Sequence, residues 1–348
     1  LLRRIFTSYS YQGVHNPLIL PSALKLEVSN RCNLHCKHCL ASAGGSNAEL
    51  ALPDLERILA QAKELGVKAI ALVGGEPLLR SDLGAIIQLI QNQGMRFSLS
   101  TNGMLIDRQA IATIKRDHLI KVSVSLDGDA KFHNTLRGHP RAYERAVAGI
   151  QMLSDHKIKT AVAMAITRDN CHLVEHVLRA AIDHGAALFV VNDLIPVGRG
   201  AELRNACLSY TEYRQHTERV RAYATAYEDK INVVWKGMRP DGKSDAALGH
   251  FIKSLCGAGL TELTIDHEGF VLPCPFLPKT RENVLVKPLK DIWYHSTELQ
   301  PYQNRHDLKS GCGDCDRKLS CSGCRARALA HQGDSKGPDV RCPRCQPA

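Results

Sequence analysis

Residues 31–39 read Arg31-Cys32-Asn33-Leu34-His35-Cys36-Lys37-His38-Cys39. The stretch sets three cysteines at C-x3-C-x2-C just behind an apolar run, 24–28, that reads as a strand. Three thiolates in one tight loop can ligate three irons of a [4Fe–4S] cluster and leave the fourth iron open to another ligand. Half of a zinc site is the competing reading, since His35 and His38 lie in the same loop. In a parallel α/β fold, the C-terminal end of the first strand is where chemistry is placed.

Outward from this loop, β-rich runs alternate with amphipathic helices. Strands are expected at 24–28, 69–73, 96–100, 121–125, 160–166 and 188–192. Helices are expected at 53–65, 81–93, 108–115, 143–155 and 173–184, with Gly66, Gly94 and Gly185 as stop signals. Six βα units in a row imply a parallel sheet with right-handed crossovers. Six are too few to close an eight-fold barrel, so the expected fold is α/β, an open partial (β/α)6 TIM-like barrel. A further helix at 211–229 and a strand-like run at 231–235 come next. GMRPDGKSDAALG, 237–249, reads as a linker, and beyond it cysteines become frequent. The chain is thus expected to divide into a lead-in (1–22), the barrel (23–236), the linker and a cysteine-rich domain (250–348).

The composition is that of a soluble chain: 348 residues, 44% hydrophobic, with no apolar run near the roughly 18 residues of a membrane span. Arg3, Arg4, Ser8 and Ser10 give the first residues a faint transit-peptide character, but a surface lead-in is the preferred reading. Thirteen cysteines at short spacings, without a secretory signal, favour metal chemistry in a reducing, cytoplasmic compartment over disulfides. The net charge of +10 comes from scattered Lys and Arg, which suits an acidic ligand only weakly. A zinc-containing nucleic-acid-binding protein would need a basic stripe with stacking aromatics. Aromatics make up 5% of the chain and no stripe is visible, so nucleic acid is not expected as a partner.

The cysteine spacing, together with the residues at the ends of the later strands, resembles the radical S-adenosylmethionine (SAM) superfamily. Gly74-Gly75-Glu76-Pro77 lies after the second strand, Thr101-Asn102-Gly103 after the third, and Ser125-Leu126-Asp127-Gly128 after the fourth, with Arg137 beyond it. Residues 167–170, opening with Thr167, lie after the fifth strand, and PVGRG (196–200) closes the sixth unit. The resemblance implies that the open iron binds the amino and carboxylate groups of SAM, whose cleavage yields a 5′-deoxyadenosyl radical. It also implies that Gly74, Gly75, Glu76 and Pro77 hold the methionine ammonium, with Thr101 and Asn102 in the same cofactor pocket. Ser125 and Arg137 would hold the carboxylate, Asp127 would lie near the ribose or support its loop, and Thr167 would approach the adenosine.

The C-terminal cysteines resemble the SPASM domain, which carries two auxiliary clusters. TELTIDHEGFVLP (261–273) reads as a hairpin turning at Glu268-Gly269, which would bring Cys256 and Cys274 together. The resemblance assigns Cys256, Cys274 and Cys324 to a first auxiliary cluster, its fourth ligand unidentified. Cys312, Cys315, Cys321 and Cys342 go to a second, with Cys345 as an alternative to Cys342. Three [4Fe–4S] clusters and SAM are the cofactors so implied, against zinc sites at the C-x2-C pairs. Cys171 and Cys207 read as packing or surface thiols.

Substrates in this subgroup are mostly ribosomally made peptides; one branch instead alters tetrapyrrole side chains. A peptide-modifying maturase is the first expectation and an acidic tetrapyrrole the second. A sulfatase-maturase role is disfavoured because Pro275, not an acid, comes directly after Cys274. About thirty residues before the loop leave no room for a built-in leader-binding domain, so a separate leader-binding protein is a candidate partner. A flavodoxin or ferredoxin is the expected electron donor. Arg168, Arg199, Arg325 and Arg327 are candidates for a basic approach surface, with solvated charges as the plainer reading.

Overall fold

Strict alternation along the strands makes one face of the sheet a core and the other a hollow. In a computed structural model describing residues 20–235, 256–319 and 321–345, the elements β1 (Ala23–Glu27), β2 (Ala69–Val73), β3 (Arg96–Thr101), β4 (Leu119–Ser125), β5 (Thr160–Ile166) and β6 (Leu188–Asp193) pair in parallel, in sequence order. The linker 237–249 and nearly all of the lead-in lie outside the described residues. Ile70, Leu72, Phe97, Leu99, Val122, Val124, Val162 and Met164 are fully buried under the helices. Their alternates Ala71, Ser98, Ser100, Ser123, Ser125, Ala163 and Ala165 face the other way and stay at least partly open. Small side chains dominate the middle of this face, while Lys25 and Lys121 share it through their pairing with Ala71 and Ser98.

Helices return the chain between strands. In α1 (Leu52–Glu64), Leu55, Ile58, Leu59 and Ala62 fall on one face and are fully buried, the i, i+3, i+4, i+7 pattern of an amphipathic helix. Burial of each large aliphatic side chain is worth about 1.5–3 kcal/mol. α2 (Leu83–Asn92), α3 (Arg108–Ile114), α5 (Ala142–Asp155) and α6 (Val174–Asp183) repeat the design. One helix was not anticipated: α4 (Ala130–Arg137) lies inside the β4–β5 crossover. Asp129 caps it by accepting from the Phe132 amide, and Gly138 ends it in the left-handed region at φ +71°. It has only eight residues, too short for a clear period beside its caps.

The sheet is open at both edges but wider than six strands. After α7 (Tyr210–Ala226), which opens on a Ser209/Glu212 capping box, β7 (Asn232–Trp235) adds to β6. On the other side β8 (Glu262–Ile265) pairs in parallel with β1, Lys25 opposite Thr264. β9 (Val271–Leu272) folds back antiparallel on β8 through the expected turn, where Gly269 has φ +89°. The C-terminal region is thus continuous with the barrel sheet rather than merely appended to it. α8 (Leu289–His295), α9 (Gln300–Gln303) and α10 (Arg325–Gln332) complete it. No helix among the described residues is long and apolar enough to cross a membrane.

Candidate cluster and cofactor site

The first cysteine loop runs from the end of β1 toward α1 and is tied down by its neighbours. The Asn30 side-chain oxygen accepts from the amides of Gly44, Gly45 and Ser46, each at 3.1 Å. Arg199 crosses from behind β6: its Nε donates to the Cys36 carbonyl at 2.9 Å and its Nη1 to the Ala43 carbonyl at 2.7 Å. Its own amide donates to the Cys39 carbonyl at 3.0 Å. The suggestion that Arg199 belongs to an approach surface is therefore overturned; it clamps the loop. A Cβ on Gly198 would collide with the Leu40 carbonyl, which is why PVGRG needs glycine there. Arg168 is exposed and pairs with Glu212 at 2.9 Å.

The Gly74-Gly75 pair serves the same loop. Gly74 has φ +131°, and added Cβ atoms at Gly74 and Gly75 would strike the Ser29 and Arg31 carbonyls. The Gly75 amide donates to Ser29 at 2.7 Å and the Glu76 amide to Arg31 at 2.8 Å. Close backbone approach is thus made to the chain's own cysteine loop. Glu76 comes next, fully buried, and accepts from Thr101 Oγ1 at 2.7 Å, the Asn102 amide at 2.8 Å and the Leu78 amide at 3.1 Å. Burial raises its pKa, and these donors oppose the rise. Asn102 in turn donates to Asn33 inside the cysteine loop at 2.7 Å. Gly74, Gly75, Glu76, Pro77, Thr101 and Asn102 so form one braced corner.

Asp127 organises the next corner. Its carboxylate accepts from Arg137 Nε at 2.8 Å, Arg137 Nη2 at 2.7 Å and the Ala165 amide at 2.9 Å. His38 Nε2 lies 3.8 Å and His133 Nδ1 3.9 Å from it. Burial alone would raise the Asp127 pKa, but Arg137, then His38 and His133, bring it down to about 2. Arg137 is not a free fork awaiting an anion: it grips Asp127, and its Nη1 reaches Cys36 Sγ at 3.8 Å. Asn170 closes the corner, donating to the Asp127 carbonyl at 2.8 Å while its oxygen accepts from the Thr167 amide at 2.6 Å. Ser125 stands half-buried at the end of β4, on the concave wall.

Cys32, Cys36 and Cys39 share one pocket with Leu34, Met104 and Ala142. Burial pushes the Cys32 and Cys36 thiols up, so ionising them requires positive charge, such as iron would supply. Arg137 at Cys36 and the Ala43 amide, 3.4 Å from Cys39 Sγ, are donors suited to thiolate sulfur. No group of three or more His, Cys, Asp or Glu among the described residues is set to hold a single metal ion. Three thiols packed in one loop, two of them with hydrogen-bond donors at sulfur, are a donor set that fits an iron–sulfur cluster.

The C-terminal cysteines fall into two groups. Cys256, Cys274 and Cys324 pack together with Ala258, Leu277 and Ala326. Burial pushes Cys274 up to about 12, with Cys256 and Cys324 adding to it and Lys25 opposing. Burial likewise pushes Cys324 up to about 11. In the second group Cys321 has Cys342 and Cys312 as neighbours. Cys345 is raised by burial and by hydrogen-bonding contact with Cys342 and Cys312. Cys342 and Cys345 thus sit side by side. Cys315 Sγ accepts from Arg344 Nη1 at 3.5 Å and lies against Asp316. Cys171 and Cys207 stay apart, their thiols turned to backbone carbonyls.

Sequence reasoning missed the charges around these groups. Arg325 and Arg327 are buried, not surface residues. Arg327 forks onto Asp339 at 2.7 and 2.9 Å and reaches Asp193, at the end of β6, at 3.3 Å. Arg341 Nε donates to Asp193 at 3.0 Å, and its Nη1 to the Leu208 carbonyl. Asp339 also accepts from the Cys324 amide at 2.6 Å. Two cations and two anions thus join the barrel to the loop holding Cys324. Asp193 stands at a strand's C-terminal end, a signal that could have flagged it; Asp339 and Arg341 offered none.

Residues 26–181 match the Radical SAM superfamily and residues 256–316 an iron–sulfur cluster-binding domain, SPASM. An AdoMet-dependent heme synthase of Methanosarcina barkeri is 28% identical, covering 92% of this chain and 96% of its own. A PqqA peptide cyclase of Streptomyces rochei is also 28% identical, covering 92% and 89%. Among solved structures, Streptococcus suis SuiB bound to its precursor peptide SuiA superposes with a TM-score of 0.78 at 22% identity, over 99% of this chain and 86% of that one.

Proposed function

We propose that this chain, which belongs to the radical SAM superfamily and carries a C-terminal SPASM iron–sulfur domain, abstracts hydrogen from a bulky substrate, in the first instance a ribosomally made peptide. The observation that carries this reading is a three-cysteine loop with its thiols packed together, braced at the strand ends by Glu76, Asn102, Arg137 and Arg199. When bound, the cluster on Cys32, Cys36 and Cys39 supplies the electron that splits SAM into methionine and the abstracting 5′-deoxyadenosyl group.

The chain's own residues hold and orient. Carbonyls and the carboxylate at Gly74, Gly75, Glu76 and Pro77 are suited to the methionine ammonium, with Thr101 and Asn102 fixing Glu76. Ser125 offers a hydroxyl for the carboxylate, and Arg137 a buried positive charge beside it. Asp127 holds that arginine in one rotamer. Thr167, locked by Asn170, borders the adenosine end. Cys256, Cys274 and Cys324, and separately Cys312, Cys315, Cys321 and Cys342 with Cys345 close by, hold two auxiliary centres, making three [4Fe–4S] clusters. A flavodoxin or ferredoxin is the fitting donor, and a separate leader-binding protein would present the peptide.

One observation favours a second reading, an acidic tetrapyrrole: the heme synthase relative matches nearly end to end. The two separate in one experiment. Anaerobically reconstituted protein with SAM and a reductant is given either a candidate precursor peptide or an acidic tetrapyrrole, and 5′-deoxyadenosine and product mass are monitored. A peptide mass change above the substrate-free rate supports the first reading. Stimulation by the tetrapyrrole alone overturns it in favour of the second. If neither raises 5′-deoxyadenosine above the substrate-free rate, both readings fail.

A further inference from the structure

Six arginines are buried among the described residues: Arg80, Arg137, Arg305, Arg325, Arg327 and Arg341. Four are neutralised by carboxylates, Arg80 by Asp82, Arg137 by Asp127, Arg327 by Asp339 and Arg341 by Asp193. The other two, at 3% and 1% exposure, are Arg305 and Arg325, and both stand at the C-terminal cysteines. Arg325 Nη1 donates to the carbonyls of Ser335 at 2.9 Å and Gly337 at 2.8 Å, and its Nη2 to Cys312 Sγ at 3.5 Å. Arg305 Nη2 donates to the carbonyls of Cys256 and Ala258, each at 3.0 Å. Arg305 Nε and Nη1, and Arg325 Nε, find no acceptor. Among the described residues, every acceptor these two guanidiniums reach is a carbonyl or a thiol.

A buried cation without a counter-ion costs several kcal/mol, and unpaired buried donors add to the cost. A fold that keeps two such groups beside its cysteines is complete only when an anion occupies the space. A thiolate-ligated iron–sulfur centre is that anion: its net charge is negative, more so when reduced, and its sulfurs accept hydrogen bonds.

We infer that Arg325 and Arg305 are the fixed counter-charges of the two auxiliary centres. Arg325 acts through Cys312 and Arg305 through the free donors beside Cys256 and Cys324, each raising the reduction potential of its own centre. This rests on the proposed centres at the C-terminal cysteines. A positive charge stabilises the reduced, more negative state more than the oxidised one, so removing it lowers the potential. Neither arginine is exposed enough to meet substrate; both are positioning residues that act on the cofactor.

The test uses the full chain reconstituted anaerobically, comparing the parent with Arg305→Met, Arg325→Met and the charge-keeping Arg305→Lys and Arg325→Lys. Iron is counted, and potentials are read by redox titration with electron paramagnetic resonance. Each Met variant should shift one centre downward by at least a tenfold change in its oxidised-to-reduced ratio, about 59 mV for one electron, and Lys should restore most of it. Melting gives a second readout of opposite sign: Arg305→Met should melt above the parent without clusters and below it with them. Unchanged potentials at parental iron content would overturn the inference alone. Iron that never exceeds one cluster's worth would overturn the auxiliary centres and the inference together.

Discussion

The two ends of the molecule bury cysteines and arginines together, but they settle the charge differently. At the N-terminal loop, Arg137 touches Cys36 and is already neutralised by Asp127 at 2.7 Å. At the C-terminal cysteines, Arg305 and Arg325 have no such carboxylate among the described residues. The first site is neutralised within the chain itself. On the proposed reading, the second is neutralised by the centres its cysteines would hold. The C-terminal region does pair Arg327 with Asp339, so the contrast lies in Arg305 and Arg325, the two buried arginines that meet only carbonyls and a thiol.

The strongest way to break this comparison is to remove one site at a time. Cys32→Ala/Cys36→Ala/Cys39→Ala should abolish 5′-deoxyadenosine formation, measured by chromatography, while iron at the C-terminal cysteines persists. Cys256→Ala/Cys274→Ala/Cys324→Ala should do the reverse: SAM is still cleaved, substrate product is lost, and iron falls by about four per chain. If the second variant also stopped SAM cleavage, the two sites would not be separable.

Next in size is Asp127→Asn, which leaves Arg137 buried without its anion. A loss of about 3–5 kcal/mol is expected in denaturant unfolding of cluster-free protein. Its pH dependence has a defined sign. The Asp127 pKa is 3.8 ordinarily and about 2 when folded, so its contribution is full above about pH 4 and fades as pH falls through 2. His38 and His133, held neutral by burial with pKa values lowered from 6.5 to about 4 and about 3, lose stability over a higher window. The variant should therefore flatten the lowest part of the acid limb, monitored by circular dichroism; an unchanged limb would show that Asp127 is not the paired anion. The smallest effect sharpens the contrast from the surface. Lys279, half-exposed over Phe270 and paired with Glu268 at 2.8 Å, should cost less than about 1 kcal/mol when changed to alanine.

Much of this was legible in the residues. β2 and β5 fall where the apolar alternation put them, and the strand-end positions of Cys32, Gly74, Thr101, Ser125 and Thr167 come with them. What was hidden depends on contacts between distant segments. Arg199 looks like any loop arginine until PVGRG folds it against Cys36, 163 residues earlier. Arg325 and Arg327 stand in a basic stretch that reads as surface, yet they are buried by Cys312, Asp339 and Asp193. The pairing of β8 with β1 spans a chain separation that no local period reveals. Periodicity reports which face of an element is buried; it does not report which charge will be found there.

The most direct test counts iron and sulfide in anaerobically reconstituted protein, beside the Cys32/Cys36/Cys39 triple-alanine variant. Three [4Fe–4S] clusters predict about twelve irons per chain, falling to about eight in the variant. About four irons in the parent, lost in the variant, with zinc at the C-terminal cysteines, would contradict them.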